Sequence, residues 1–241
     1  MSTLSVCCLA RNEELFLPKM LASVRDIADE IIILDTGSTD ATIELAKAFG
    51  ARVEIAEWNE DFGAMRNKVL SYATKDWVLM LDADEQITSE NSDRIQQAML
   101  KTGKAYSCTI LNVFPYQMVK SLLPMSSTRL FKRDIGLVYQ ERIHESVDSS
   151  LRKQTLMPLQ SEIEIHHDGF TDGKPLRRIR NRRSFEAELN KNPTDSFVRT
   201  HLALSLFLEK DYHKAESYFD IILTTQSRDL TPEARSIIMA L

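Results

Sequence analysis

Apolar positions in the first hundred residues fall into short solid runs separated by stretches of helical period. The runs are Leu4–Ala10, Glu30–Leu34 and Trp77–Leu81, with a further strand signal at Arg52–Ala56. Runs this short, with polar or small residues on either side, read as buried strands. Between them, a helical stretch opens at Asn12-Glu13-Glu14 and continues to about Val24. A second follows cap-forming oxygens at Ser38–Asp40, carries Ile43, Leu45, Ala46, Ala48 and Phe49, and stops at Gly50. In Asp61–Tyr72, Met65, Val69 and Tyr72 recur at spacings of four and three, and another helix is expected over Ser89–Lys101. Strands alternating with helices of this length predict an α/β fold, a mainly parallel sheet covered on both faces.

The texture changes after residue 105. Short β-rich pieces (Tyr106–Val113, Thr128–Phe131, Glu162–His166) follow one another without long helices and predict antiparallel additions to the sheet. Pro115–Met125 has no period and is expected to be a loop over a site. From Lys174 the signal is helical. It is broken at Asn192-Pro193-Thr194-Asp195 and resumes over Phe197–Glu209 and Tyr212–Thr225. Leu202, Ala203, Leu206, Tyr212, Ala215 and Phe219 stand where a tetratricopeptide repeat places its packing residues, though a generic helical hairpin would use them too. One such unit cannot bury its own face, so it is expected to dock on the α/β part, on the helix after Leu230 or on a second subunit. The expected division is 1–172 and 173–241.

Composition narrows the class. The 241 residues are 43% hydrophobic and 27% charged, the balance of a globular chain with a sizeable core. A net charge of −5 argues against a nucleic-acid coat, and seven glycines argue against a glycine-rich phosphate loop. Cys7 and Cys8 adjoin, so in a strand they point to opposite faces. With Cys108 they read as reduced core residues of a cytoplasmic protein. No signal peptide is expected, because the segment Ser2–Ala10 is too short and lacks a basic start, and no membrane span, because no apolar run approaches ~20 residues. Peripheral contact with a membrane-borne substrate stays open.

The candidate chemistry gathers where the apolar runs end. Trp77-Val-Leu-Met-Leu-Asp82-Ala83-Asp84-Glu85 closes a buried strand with Asp82 and Asp84 two apart, which in extended chain would aim both the same way. Like-facing carboxylates repel unless a cation intervenes. A divalent metal completed by a nucleoside diphosphate is the natural partner, and a solvated acidic turn the plain alternative. Open α/β sheets bind ligands at their strands' carboxyl ends, which favours the metal. Asp35 ends the second strand at the same rim, suited to ribose hydroxyls or a base N–H. Asp40 reads as a helix cap. Arg11-Asn12-Glu13 ends the first strand. Arg66 and Asn67, early in the helix after the third, could meet phosphate or the acidic strand ends.

These segments together resemble the family 2 inverting glycosyltransferases of GT-A (Rossmann-like) fold. The nearest subgroup holds lipopolysaccharide-core glucosyltransferases and tetratricopeptide-bearing peptide glycosyltransferases. The resemblance runs from about residue 3 to 220. It rests on Arg11-Asn12-Glu13, Ile32 through Thr42, Asp61-Phe-Gly-Ala-Met-Arg-Asn67 and Trp77 through Glu85. Further down it rests on Arg129-Leu-Phe-Lys-Arg133, Ile143-His-Glu145 and His166-His-Asp-Gly-Phe170. It implies a nucleotide-sugar donor (UDP-linked), Mn2+ or Mg2+, and inversion at the anomeric carbon. Asp82 and Asp84 would then hold the metal, with Asp82 also reaching ribose or diphosphate. Arg11, Asn12, Glu13, Asp35 and Arg66 would surround the nucleotide sugar. Glu145 would be the general base, unless it is a surface residue paired with Arg142. One of His166 and His167 would complete the metal shell, the alternation of their strand allowing only one to face it. Thr36 departs from the second acid many members carry there, though its hydroxyl can still accept.

The implied acceptor is a glycan, a lipid-linked core or a peptide, with a modified nucleobase less expected. Lys174–Arg183, with six basic residues, reads as a solvated helix or a positive rim. Two other classes compete. A nucleotidyltransferase would want a glycine-rich basic loop after the first strand, where Leu9-Ala10-Arg11-Asn12-Glu13 has none. A non-catalytic tetratricopeptide-type binder with a nucleotide-sugar-binding domain would have no need of Asp82 and Asp84.

Overall fold

The computed structural model describes residues 2–116, 119–142, 145–168 and 175–225. By internal contact the chain forms two compact units. One comprises residues 1–114 and 124–170, the other 115–123 and 171–241.

The first unit is built on strands β1 (Leu4–Ala10), β2 (Glu30–Asp35), β3 (Arg52–Ile55) and β4 (Trp77–Asp82), with helices α1 (Leu17–Val24), α2 (Thr42–Ala48) and α3 (Phe62–Leu70) in the crossovers. Then come β5 (Glu85–Ile87), α4 (Ser89–Leu100), β6 (Ala105–Tyr116), β7 (Val119–Lys132), α5 (Asp148–Lys153) and β8 (Leu159–His167), with the last residues of β6 and the first of β7 counted in the second unit. The sheet order is β3-β2-β1-β4-β7-β6-β8-β5. β1 runs parallel to β2 and β4, and β2 to β3, whereas β4–β7 and β5–β8 are antiparallel. The expected parallel half and antiparallel additions are both present.

The pleat sorts the core into two layers. Leu4, Val6, Cys8, Ile33, Trp77, Leu79 and Leu81 face α1, α2 and α4. Cys7, Ile32, Leu34, Val78 and Met80 face α3 and the segment Leu137–Leu151. Both faces are covered, so the central strands are largely apolar, and Cys7 and Cys8 do lie on opposite faces. α1 buries Leu17, Met20, Leu21 and Val24, one helical stripe.

Three expectations fail locally. The first helix begins at Leu17, not Asn12, because residues 11–16 form a loop that reaches across to residues 38–42. Pro18 lies in its first turn, where a missing N–H is harmless. Much of the expected loop Pro115–Met125 has strand backbone, in β6 and β7, since strand pairing supplies what local periodicity does not show. The strand before Asp84 ends at Asp82, and Ala83-Asp84 turn, so the extended-chain argument for two like-facing carboxylates does not apply.

In the second unit, α6 (Pro175–Lys191), α7 (Ser196–Leu208) and α8 (Tyr212–Thr225) follow one another. Asp195 caps α7 through the Val198 N–H, 3.0 Å away. Leu202, Leu206 and Ala215 form a core with Phe185, Leu189, Phe207, Tyr218 and Phe219 around it. Ala203 is buried, and Tyr212 is exposed. No helix among the described residues is long and apolar enough to cross a membrane.

Candidate active site

The sheet reverses its winding at β1. From there the chain proceeds to β2 and β3 on one side and to β4 on the other. A crevice opens at the carboxyl ends of strands at such a point. The register sets Asp82 beside Leu9 and Asp35 beside Ala10, so both acids stand on that rim. Burial foremost, then Asp82, Glu13 and Asp84, push the Cys8 thiol well above its ordinary pKa, which places those carboxylates around the end of β1.

Asp82 is held by two arginines. Arg66 Nη2, from α3, donates to its Oδ1 at 2.8 Å, and Arg129 Nη2, from β7, lies 3.7 Å from its Oδ2. Burial alone pushes the Asp82 carboxyl up, but the two guanidiniums outweigh it and hold it far below the usual range. Arg66 Nε also donates to Glu145 Oε1 at 2.6 Å. Arg129 Nη2 donates to Glu85 Oε1 at 2.9 Å, and Glu85 Oε2 accepts the Asp82 N–H at 2.8 Å. Glu85 is 1% exposed; burial foremost, then Asp82, raise its pKa despite Arg129. The result is a chain of alternating charge, Glu145–Arg66–Asp82–Arg129–Glu85.

Asp84 turns elsewhere. Its Oδ1 lies 3.5 Å from His167 Nε2. His167 pairs in register with Glu85 and follows Ile163 and Ile165 on the inward face of β8, whereas His166 alternates to the other face. Asp168 N–H closes this corner on the Asp84 carbonyl at 3.0 Å.

The loops after β1 and β2 interlock. Asn12 takes a left-handed conformation, with φ 55°, and its Oδ1 accepts the Thr39 N–H at 2.8 Å. Glu14 Oε2 accepts from Ala41 N–H, and the Glu14 N–H donates to Asp40. The buried Glu13 donates its N–H to Thr42 Oγ1 at 2.7 Å. Asp35 is buried and turned onto its own loop. Oδ1 accepts from Gly37 and Ser38 N–H at 2.9 and 2.8 Å, and Oδ2 accepts from the Ser38 hydroxyl. Thr36 Oγ1 donates to the Ala10 carbonyl. Arg11 is exposed at the rim.

Of the residues expected from sequence, the structure thus brings Asp82, Arg66 and Glu145 into one network and Asp84 and His167 into a pair beside it. Arg11, Asn12, Glu13 and Asp35 form the neighbouring loop wall, and His166 is turned away. Arg142 contacts Glu60, not Glu145. His144 and Lys174 lie outside the described residues. Sequence reasoning gave Arg129, Glu85 and Tyr139 no role. The signal for Arg129 was there: an arginine inside the apolar strand run Thr128–Phe131 must meet a carboxylate if it is buried.

Residues 5–155 match the model of glycosyl transferase family 2. A TPR repeat-containing protein of Synechococcus elongatus is 33% identical over 228 residues, 90% of this chain and 56% of the relative. The SPbeta prophage-derived glycosyltransferase SunS of Bacillus subtilis is 28% identical over 203 residues, 82% of this chain and 45% of SunS. The chain therefore spans about half the length of these curated relatives. Among solved structures, glucosyl-3-phosphoglycerate synthase of Mycobacterium tuberculosis, in complex with Mn2+, UDP-glucose and phosphoglyceric acid, superposes with a TM-score of 0.54. It is 18% identical, over 86% of this chain and 79% of the synthase. S. aureus TarS 1–349 in complex with UDP gives a TM-score of 0.51 at 15% identity, over 93% and 76%. The fold is GT-A, and with the family match running from β1 into the segment after α5, the chain belongs to glycosyl transferase family 2.

Proposed function

We propose that the protein is a metal-dependent, inverting glycosyltransferase that moves a sugar from a UDP-linked donor to a glycan, lipid-linked or peptide acceptor. The observation that carries this reading is the Asp84–His167 pair at the strand ends, 3.5 Å apart, beside the Asp82, Glu85 and Glu145 carboxylates. Among the described residues, Asp82 and Glu145 pair with Arg66, Asp82 and Glu85 with Arg129, and Asp84 with His167. Carboxylates gathered this closely at a sheet edge favour a cation among them.

Asp84 and His167 suit Mn2+ or Mg2+ as an oxygen and an imidazole donor close enough to share one ion. Among the described residues no group of three or more such side chains forms a ready-made cage. Diphosphate oxygens and water would complete the shell, which is how Mg2+ is commonly held. A bound cation supplies charge neutralisation for the departing diphosphate. Asp82, kept ionised by Arg66 and Arg129, adds its field without being a required ligand, and Arg11, Asn12 and Glu13 flank the nucleotide. Asp35 supports that wall from within. Inversion is a single displacement: the acceptor oxygen bonds to the anomeric carbon as the bond to the diphosphate oxygen breaks. Glu145 takes the acceptor's proton, with Arg66 holding Oε1 and leaving Oε2 for it.

Residues 1–172 are read as the catalytic domain and 173–241 as a tetratricopeptide-like region that contacts the acceptor or a second subunit. The test is a melting-temperature panel of UDP-glucose, UDP-galactose and UDP-N-acetylglucosamine with and without Mn2+. At a hundredfold excess over Kd a ligand stabilises by about 2.7 kcal/mol. At least one sugar nucleotide should raise the melting temperature, and more so with Mn2+. The Asp84→Asn variant should lose the Mn2+-dependent part. No shift from any nucleotide, or an unaltered Mn2+ response in Asp84→Asn, refutes the proposal.

A further inference from the structure

We propose that the strip Gly63–Asn67 of α3 is a mould that sets the position of Glu145, with Gly63 and Asn67 as positioning residues that never touch substrate. This rests on the reading of Glu145 as the base.

Glu145 belongs to no regular element. It sits in an excursion closed at its neck by the backbone pair Gln140–Ser146, at 3.1 and 3.2 Å. Besides that pair and the Asp148 N–H bond to Ser146 Oγ, the described hydrogen bonds of Tyr139, Arg142 and Glu145 go to α3 and to Glu60 just before it. The Asn67 carboxamide binds Tyr139 twice: Nδ2 donates to its carbonyl at 2.9 Å, and Oδ1 accepts its N–H at 2.7 Å. That double bond pattern fixes the backbone of Tyr139 as a neighbouring strand would. The Tyr139 ring in turn lies 5.6 Å from the Arg66 guanidinium, which itself binds Glu145.

The far side of the excursion is fitted as closely. The Phe62 N–H, left without an intrahelical acceptor at the start of α3, donates to the Arg142 carbonyl at 3.0 Å. The Arg142 guanidinium returns to the Glu60 carbonyl at 3.1 Å. At Gly63, an added Cβ would stand 2.5 Å from the Glu141 carbonyl oxygen, a backbone atom that cannot swing aside. Glu141 itself holds a left-handed φ of 75°, a conformation that persists where its surroundings dictate it. Asp61 caps the helix through the Ala64 N–H at 2.8 Å and so fixes where the mould begins.

The segment Asp61-Phe-Gly-Ala-Met-Arg-Asn67 thereby acquires one purpose. Asp61 starts the helix, Gly63 leaves room for the loop, Arg66 holds the carboxylate, and Asn67 pins the neck. A displacement of about 1 Å at a reacting group can cost on the order of 100-fold in rate. Gly63 and Asn67 are therefore expected to act on turnover, not on donor affinity.

The experiment compares Asn67→Leu, Gly63→Ala and Glu145→Gln with the parent chain. Hydrogen–deuterium exchange is followed over residues 139–147, UDP affinity by calorimetry with Mn2+, and UDP release from UDP-glucose by steady-state kinetics. Asn67→Leu and Gly63→Ala should each speed exchange in 139–147, leaving exchange in β1 and β4 as in the parent. They should lower kcat by about 10- to 100-fold, with UDP Kd and donor KM held within about threefold. A purely structural role would instead weaken UDP binding and loosen β1 and β4 in step with turnover, and that outcome overturns the inference. So does unchanged exchange over 139–147, which needs no turnover to be read. If Glu145→Gln keeps the parent kcat, the base assignment fails while the exchange result still judges the mould. If Glu145→Gln is inactive and Asn67→Leu is not, the mould fails and the base stands.

Discussion

Removing the Arg129 guanidinium should cost the fold several kcal/mol, and more at pH 8 than at pH 5. In Arg129→Met the side chain keeps most of its apolar stem and loses its charge. Glu85, 1% exposed and 2.9 Å from Arg129, is then left buried beside Asp82 with no guanidinium of its own. Asp82 retains Arg66 at 2.8 Å. Breaking a buried ion pair from one side typically costs about 3–5 kcal/mol, a large share of the about 5–15 kcal/mol that holds a domain folded.

Glu85 has one way out, which is to take up a proton. Burial foremost, and Asp82 next, already raise its pKa above the ordinary 4.5 against the pull of Arg129, and without Arg129 it rises further. A carboxyl whose pKa is higher folded than unfolded gives stability that is complete below the unfolded value. That stability is lost as pH climbs through the folded one. The deficit of Arg129→Met should therefore be smaller at pH 5 than at pH 8. The assay is urea unfolding followed by circular dichroism at both values, in EDTA so that no cation contributes. Adding Glu85→Gln should restore most of the loss, because the carboxamide oxygen can still accept the Asp82 N–H. An Arg129→Met variant within about 0.5 kcal/mol of the parent at pH 8, the range of an ordinary surface change, would refute the argument. A deficit that ignores both pH and Glu85→Gln would refute it equally.

Asp61→Ala removes the cap on the Ala64 N–H and should lower stability by about 1 kcal/mol in urea titrations, with Asp61→Ser recovering most of it. Burial pushes Asp40 up, but bonds from the Thr42 hydroxyl and from the Thr42 and Glu14 N–H groups prevail and lower its pKa below 3.8. Its contribution is therefore present above that value and lost as pH falls through the folded one, so Asp40→Asn should flatten the acid limb of an unfolding titration below about pH 4. Burial raises the thiols of Cys7 to about 12 and Cys108 to about 11, and that of Cys8 well above its ordinary value, so none should react with a disulfide reagent at pH 8 until guanidinium unfolds the chain. Rapid labelling of any of the three in the native protein would contradict their placement in the core.

The rim of the site was legible because parallel strands buried on both faces leave solid apolar runs, and the polar residue that ends each run must stand at the sheet's edge. Asp35 and Asp82 were found that way, and the register confirms their level. Strand alternation narrowed the two histidines to one, and the pairing of β8 with β5 sets His167 level with Glu85 and His166 level with Gln86. The reading went astray where a segment's shape is set from outside. Residues 11–16 carry helix-compatible sequence, but the side chains of Asn12 and Glu14 bind the 38–42 loop. Asp35 has the position of a ligand group, yet its carboxylate organises its own turn.

The sequence by itself determined the alternating α/β frame, the two covered faces and the level at which the acids gather, since each follows from periodicities of two to four residues along the chain. Tertiary structure alone decided which charge meets which. Arg66 reaches Glu145 across 79 residues, Arg129 reaches Glu85 from an antiparallel strand 44 residues on, and Asn67 grips Tyr139 72 residues away. A lone arginine or asparagine carries no periodic trace of its partner. Its bond exists only once the sheet has closed and burial has made leaving it unpaired costlier than pairing it.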